Sequence, residues 1–141
     1  DESLARRLAE RLGRLTGIDR GTVVFAPLAV GGHVDHRLVR RAAARWRGAE
    51  GVWFYEDYPY AADRDAVRRA LRSAPRRRSW TVALDEGQLA AKIAAMECYG
   101  SQLSTFWKDR RTMADEVREL AAETGGGTPA ERCWRVRRSG R

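Results

Sequence analysis

The chain has 141 residues, enough for one domain with its own core, and a formal net charge of +8. All but two of its 27 basic residues are arginines dispersed along the chain, so we interpret the charge as solvated helix faces and do not favour nucleic acid as a partner. The sequence has no apolar run long enough for a membrane span and no signal peptide at its start. We therefore expect one cytoplasmic domain over residues 1–141, and the start without Met suggests that part of the protein precedes it.

The two cysteines form no metal or redox motif. Cys98 and Cys133 lie far apart, and neither belongs to a CxxC pair or sits near a histidine at a metal-finger spacing. A chain of this length does not need disulfides for stability. We predict two buried, reduced thiols.

Hydrophobic periodicity predicts alternating helices and strands. Apolar residues three or four apart mark helix faces, and short β-branched or aromatic runs mark strands buried on both faces. Asp85 followed by Gln88 resembles a capping box, whereas Gly100 and the glycines at 125–127 are expected to end helices. In chain order we predict a helix on Leu4, Leu8, Leu12 and Leu15, a strand at 22–25, a helix with His36, Val39, Ala43 and Trp46 on one face, a strand at 52–55, a helix at 63–71, a strand at 80–84, a helix with Leu89, Ile93 and Met96 inward, a helix with Met113, Val117, Leu120 and Ala121 inward, and a short strand at 133–136.

The order strand, helix, strand over residues 22–55 predicts a parallel pair joined by a crossover helix. Such a unit is typical of an α/β layered domain. Ligands of open α/β sheets bind beyond the carboxyl ends of parallel strands. The loops after these two strands are therefore the candidate binding edge.

The loop after the first predicted strand holds both histidines of the chain, His33 and His36. Gly31 and Gly32 allow the backbone to turn sharply there. One neutral imidazole could bind a metal while the other moves protons, and Asp35 could hold an imidazole N–H. A structural histidine pair at a helix start remains the alternative.

Two further polar segments could belong to the same site. Glu56 and Asp57 follow the second strand of the predicted parallel pair. They could bind a ligand, act as acid or base, or accept hydrogen bonds from loop amides in an ordinary turn. Tyr99 and Gln102 lie near Gly100, where a helix end is the simpler interpretation.

Four motifs in this order resemble the PIG-L or LmbE-like deacetylase family. They are GHVDH at 32–36, YEDYPY at 55–60, Lys92 with YGSQ at 99–102, and AERCW at 130–134, and they span nearly the whole chain. The resemblance implies a Rossmann-like, three-layer α/β fold with a mostly parallel sheet, of which this chain is the C-terminal portion. It also implies that a zinc-activated water hydrolyses an N-acetyl or N-acyl group from a glucosamine-type sugar.

The resemblance implies roles for individual residues. His36 matches a zinc ligand, His33 matches the histidine that stabilises the oxyanion or protonates the leaving amine, and Asp35 matches the acid that tunes that histidine. The cofactor would be Zn²⁺, and the substrate a small-molecule glycoside or sugar conjugate. The residues that we assign to substrate binding are Glu56, Asp57, Tyr99 and Gln102.

Part of the family pattern is absent. The Ala-His-Pro-Asp-Asp-Glu stretch, which carries two further zinc ligands and the general base, does not occur in these residues. We favour its supply by an N-terminal portion of the same protein, and the alternative is a non-catalytic sugar-binding or scaffold remnant. Gly31 replaces a common aromatic residue of the family, which predicts a wider pocket or altered contacts to the oxyanion, and Val34 replaces a common proline.

Overall fold

The structure is a computed structural model that describes residues 2–14, 21–45, 51–72, 74 and 77–136. A short 3-10 turn at Tyr60–Ala62 accompanies the helices and strands, and no helix in these ranges is long and apolar enough to cross a bilayer. Leu15 and Trp46, predicted on helix faces, lie outside the described residues. In chain order the elements are α1 (Glu2–Leu12), β1 (Val23–Pro27), α2 (Val34–Arg45), β2 (Gly51–Tyr55), α3 (Arg64–Ala70), β3 (Arg77–Ala83), α4 (Glu86–Glu97), α5 (Gly100–Phe106), α6 (Arg110–Thr124) and β4 (Ala130–Val136).

The four strands form a mixed sheet in the order β1-β2-β4-β3. β1 and β2 pair in parallel through the crossover helix α2, as predicted, and Pro27 lies opposite Tyr55. β4 pairs with β2 in the antiparallel sense, and the sheet is mostly antiparallel. The predicted mostly parallel sheet is therefore wrong. Periodicity locates strands and crossovers but does not specify the direction in which a later strand joins the sheet.

Contacts divide the chain into two compact units, Asp1–Trp80 with Cys133–Arg141, and Thr81–Arg132. In the first unit, α2 and α3 cover one face of the β1–β2 pair, where Ala26 and Phe54 are buried with Val67. On the opposite face Phe25 is 50% exposed. These strands bury one face rather than the predicted two, since alternate side chains point to opposite sides. The prediction of one domain over 1–141 stays a prediction.

The exposed face of the first unit is aromatic. Phe25 pairs in register with Trp53. The Trp53 ring meets that of Trp80 edge-on at 5.5 Å between centroids, and the Phe25 ring lies 6.2 Å from Trp80. Trp80 is 45% exposed, so the edge-to-face pairing leaves much of its indole in solvent.

The second unit is built around α4 and α6. The predicted capping box is confirmed, since the Asp85 carboxylate accepts the Gln88 N–H and the Gln88 side chain accepts the Asp85 N–H. Gly125 ends α6, as predicted. Gly100 was expected to end a helix but is instead the first residue of α5, and the C-cap of the preceding helix α4 is Cys98. The buried positions that hold this unit together are Leu89, Ile93, Met113, Val117 and Ala121.

The two thiols differ in accessibility. Neither Cys98 nor Cys133 forms a disulfide. Cys133 is buried in β4, as predicted, but Cys98 is exposed, so its predicted burial is wrong. Cys98 follows the last turn of α4, where the helix face turns to solvent.

Candidate active site at the ends of β1 and β2

The parallel register brings the loops after β1 and β2 side by side. Leu28 N donates to Tyr55 O at 2.9 Å and extends the pairing past the strand end. The first loop then leads into α2, whose first turn carries His36, and the second begins with Glu56 and Asp57. This edge is where the sequence placed the site.

Asp57 forms the centre of the site. Its side chain is only 1% exposed, and Oδ1 lies 2.7 Å from Nδ1 of His36, whose side chain is 38% exposed. Its other oxygen, Oδ2, accepts the Val30 N–H at 3.0 Å. Asp57 therefore links the loop after β1 to the first turn of α2, and its carboxylate points into the protein.

The loop that carries His33 has an unusual backbone. Ala29 has a φ of 60° and Gly32 a φ of 70°. Glycine adopts this left-handed region at no steric cost, whereas alanine is strained by about 1–2 kcal/mol. Ala29 is nevertheless buried, and its carbonyl accepts the Gly32 N–H at 3.2 Å. The surrounding contacts thus hold a strained turn beside the histidines.

His33 is held much more loosely than His36. Its Nδ1 accepts the Asp35 N–H at 3.3 Å, while the Asp35 carboxylate lies 3.9 Å from the same nitrogen. The side chains of His33 and Asp35 are 49% and 76% exposed. The two imidazole centroids are 5.4 Å apart, so both rings can reach one small ligand.

Glu56 stabilises the framework around the site. Its Oε2 accepts from Arg64 at 3.0 Å, and its Oε1 accepts from the Trp134 indole N–H at 2.8 Å. The side chain is 7% exposed. Its carboxylate therefore ties the end of β2 to α3 and β4. Arg64 and Trp134 were not predicted as partners of Glu56, because neither spacing follows a helix or strand period and Trp134 lies 78 positions away.

Arg40 is a second residue that sequence reasoning missed. Its guanidinium donates to the carbonyls of Leu28 and Ala70 at 2.9 Å each. Burial lowers the pKa of Arg40, and the negative charge of Asp57 opposes that shift. Burial, together with Asp57, raises the pKa of Tyr55. The position of Arg40 one helical turn after His36 was the available signal.

A tyrosine ring fills the space beside Gly31. A Cβ added at Gly31 would lie 2.2 Å from the ring of Tyr60, so that ring packs directly against the Gly31 backbone. Tyr60 follows the cis Tyr58–Pro59 peptide, and both Gly31 and Tyr60 line a cavity of about 380 Å³. Gly31 therefore does not widen the pocket, because the Tyr60 ring occupies the place that a side chain at position 31 would take.

The remaining predicted residues lie in the second unit. Tyr99 is 69% exposed at the start of α5, and Gln102 is exposed one turn later. Within the described ranges, no three His, Cys, Asp or Glu residues are grouped so that they could hold a metal ion. His36 is the described side chain that best suits a metal, because a buried carboxylate beside one ring nitrogen is typical of zinc-binding histidines.

Comparisons with known proteins point to deacetylases. The 2'-N-acetylparomamine deacetylase of Streptomyces fradiae is 46% identical over an alignment that covers 56% of this chain and 30% of that protein. The structure of the A40926 pseudoaglycone deacetylase Dbv21 matches with a TM-score of 0.75 and 26% identity, covering 99% of this chain and 59% of that one. A zinc-inhibited form of teicoplanin deacetylase Orf2 matches with a TM-score of 0.72 and 23% identity, covering 97% and 53%.

The chain matches only part of each of these proteins. No model of a known protein family matches it. The chain spans 30% of the curated relative's length and little more than half of the two solved structures. Its mixed α/β fold is shared with these deacetylases, and the proteins similar to it in sequence and structure are deacetylases.

Proposed function

We propose that this chain is the C-terminal portion of a zinc-dependent deacetylase of the PIG-L or LmbE-like type. The enzyme removes an N-acetyl or N-acyl group from a glucosamine-containing substrate. One observation carries the proposal: an exposed histidine, His33, lies beside a second, His36, whose Nδ1 is held by a buried carboxylate. The names of the similar proteins support the same reaction class.

His36 is the zinc ligand of this chain. Asp57 occupies the Nδ1 side of the ring, which leaves Nε2 as the ligand atom. Zinc, when bound, polarises the amide carbonyl and activates water. The half-exposed ring suits a ligand that must face a substrate cavity as well as the protein interior.

The other zinc ligands and the general base come from an N-terminal portion of the same protein. The extent of the relatives supports this, since the chain spans only 53–59% of the two solved deacetylases. The described sheet also has room for a further segment: β1 is one of its two edge strands, and Phe25 on that strand is 50% exposed. Apolar surface of this kind is typically covered by another part of a protein.

His33 acts on the reacting amide. Its Nδ1 accepts the Asp35 N–H, so the proton of the neutral ring sits on Nε2. Once the ring is protonated, the Nε2–H stabilises the oxyanion of the tetrahedral state, or passes its proton to the amine nitrogen as the carbon–nitrogen bond breaks, which returns the ring to its neutral form. Asp35 lies close enough to tune the charge on His33, although its carboxylate at 3.9 Å makes no hydrogen bond to the ring.

The substrate is a small-molecule sugar conjugate. The similar proteins are named for 2'-N-acetylparomamine, teicoplanin and a pseudoaglycone of A40926. Tyr99 and Gln102 keep their proposed role in substrate binding, which rests on the resemblance. Glu56 and Asp57 act indirectly, by holding the loops of the site. We also propose a cytoplasmic location, with which two cysteines outside any disulfide agree.

The experiment uses the protein with its N-terminal portion, incubated with 2'-N-acetylparomamine while acetate release and bound zinc are measured. His36→Ala should lose zinc and activity. His33→Ala should keep zinc and lower turnover by about 10²–10⁴-fold, the range of a positioned acid or base. Arg37→Ala, on an exposed side of the same helix, is the matched control. Unchanged turnover in His33→Ala would refute the role of His33, and no bound zinc in the wild type would favour the scaffold alternative.

A further inference from the structure

The contact between Asp57 and His36 requires a proton. Nδ1 of His36 and Oδ1 of Asp57 are 2.7 Å apart, both are buried, and neither has a hydrogen-bond partner of regular geometry among the described residues, so this close contact is all that each atom has. Two lone pairs at this separation would repel, so a proton lies between the two atoms. An ionised carboxylate only accepts hydrogen bonds. Nδ1 of His36 must therefore be the donor.

Asp57 has a hydrogen-bond donor and a positive charge in its surroundings. Its second oxygen accepts the Val30 N–H at 3.0 Å. The buried guanidinium of Arg40 is near enough for Asp57 to oppose the effect of burial on the pKa of Arg40. Hydrogen bonds and nearby positive charge offset the cost of burying a carboxylate, and the Val30 N–H and Arg40 provide them for Asp57.

We propose that Asp57 is a positioning residue, which selects the tautomer of His36 protonated at Nδ1 and fixes the orientation of its ring, so that the lone pair on Nε2 is presented to a metal. The inference rests on the proposed function for the identity of that metal. The tautomer itself depends only on contacts within this chain.

The same carboxylate couples the two histidines. Asp57 contacts His36 through Oδ1 and, through Oδ2, the amide of Val30, which lies in the turn that leads to His33. That turn contains the strained Ala29, whose φ is 60°. A buried anchor shared by the loop and the helix start therefore limits how far the two imidazoles can move apart.

Nuclear magnetic resonance can read the tautomer without zinc. In the metal-free chain labelled with ¹⁵N, long-range ¹H–¹⁵N spectra at about pH 8, where free histidine is neutral, distinguish the two tautomers. We expect His36 to carry its proton on Nδ1. A His36 ring protonated on Nε2, with or without a proton on Nδ1, would overturn the inference whatever the variants show.

Asp57→Asn tests the cause of the tautomer. The amide can donate its own N–H to Nδ1, and exchange of a carboxylate for an amide beside a histidine can leave the wrong tautomer. We expect His36 to change to the tautomer protonated on Nε2. Asp35→Asn is the matched control, because that carboxylate makes no hydrogen bond to His36, and its spectrum should be unchanged. A His36 tautomer that stays on Nδ1 in folded Asp57→Asn would contradict the role of Asp57.

Zinc affinity separates this inference from the proposed function. In the protein with its N-terminal portion, Asp57→Asn should bind zinc about 10–100-fold more weakly in competition with a chelating dye, whereas Asp35→Asn should bind as the wild type does. Equal zinc affinity in Asp57→Asn and wild type would refute the positioning role. If the wild type has the Nδ1 tautomer but binds no zinc, the proposed function fails and the tautomer assignment stands.

Discussion

Two histidines three positions apart are held in very different ways. His36 meets a carboxylate that is 1% exposed, at 2.7 Å, whereas His33 faces one that is 76% exposed, at 3.9 Å. The partner of His36, Asp57, comes from the end of the next strand, while that of His33, Asp35, is its near neighbour in the sequence. Closeness in the chain therefore did not produce the tighter contact. Burial did, because charge-assisted hydrogen bonds are strongest where water is excluded.

This difference in burial agrees with the different roles proposed for the two histidines. A metal ligand gains from a fixed ring and a fixed tautomer, which a buried carboxylate provides. An imidazole that moves a proton must reach the substrate, and it can remain partly exposed. We therefore expect the buried carboxylate, Asp57, to contribute to stability and the exposed one, Asp35, to contribute little.

The largest expected effect is on Asp57. Asp57→Ala leaves the Val30 N–H and the His36 ring without their buried carboxylate and removes a negative charge near Arg40, so the free energy of unfolding should fall by about 3 kcal/mol. Asp35→Ala, at an exposed position, should change it by less than about 0.5 kcal/mol. Urea unfolding of both variants measures the difference. Equal losses would show that burial does not distinguish the two carboxylates.

A smaller effect is expected at Arg40. Arg40→Met keeps much of the apolar stem but leaves the carbonyls of Leu28 and Ala70 without their donor and Asp57 without its cation. The free energy of unfolding should fall by about 2 kcal/mol. Arg37→Met, on an exposed part of the same helix, is the control and should stay within about 0.5 kcal/mol of the wild type. A loss in Arg37→Met as large as that in Arg40→Met would argue against the buried network.

The smallest effect is expected at Asp63, an exposed carboxylate that accepts hydrogen bonds from two backbone N–H groups. Asp63 begins α3, and the hydrogen bond from the Ala66 N–H is the main cause that lowers its pKa below 3.8, with Arg69 adding to it. A lowered pKa in the folded state means that the stabilisation is present above the unfolded value and is lost as the pH falls through the folded value. Asp63→Ala should therefore melt below the wild type at neutral pH, with a gap that narrows below pH 3.8.

Asp65→Ala keeps the helix cap, so its melting temperature should fall less than that of Asp63→Ala at neutral pH. A gap between Asp63→Ala and the wild type that is independent of pH would mean that the charge of Asp63 contributes nothing.

Much of the fold follows from local patterns. The capping box at Asp85 and the end of α6 at Gly125 depend on residues within a few positions of one another, and the crossover between β1 and β2 follows from the order strand, helix, strand. The direction of β4 does not, since its pairing with β2 joins residues such as Phe54 and Trp134 that are distant in the chain. For that reason the parallel pair was predicted and the mostly antiparallel sheet was not.

The candidate site was likewise predicted only in part from the sequence. The sequence identified the loop with both histidines and the acidic residues after β2, because these lie at the ends of two predicted parallel strands. It could not rank Asp35 against Asp57 as the stronger partner, since that ranking depends on burial. Nor could it identify Arg40 as a neighbour of Asp57, because that requires the packing of α2 on the sheet.

Gly31 and Tyr60 share a single volume. A side chain at position 31 and the ring at position 60 are mutually exclusive, because a Cβ on Gly31 would lie 2.2 Å from that ring. An aromatic residue can therefore be supplied to this place from either loop, but not from both. Related chains with a bulky residue at the first position should carry a small one at the second. Exchanging the two residues, with Gly31→Tyr and Tyr60→Gly together, should restore packing that Gly31→Tyr alone disrupts.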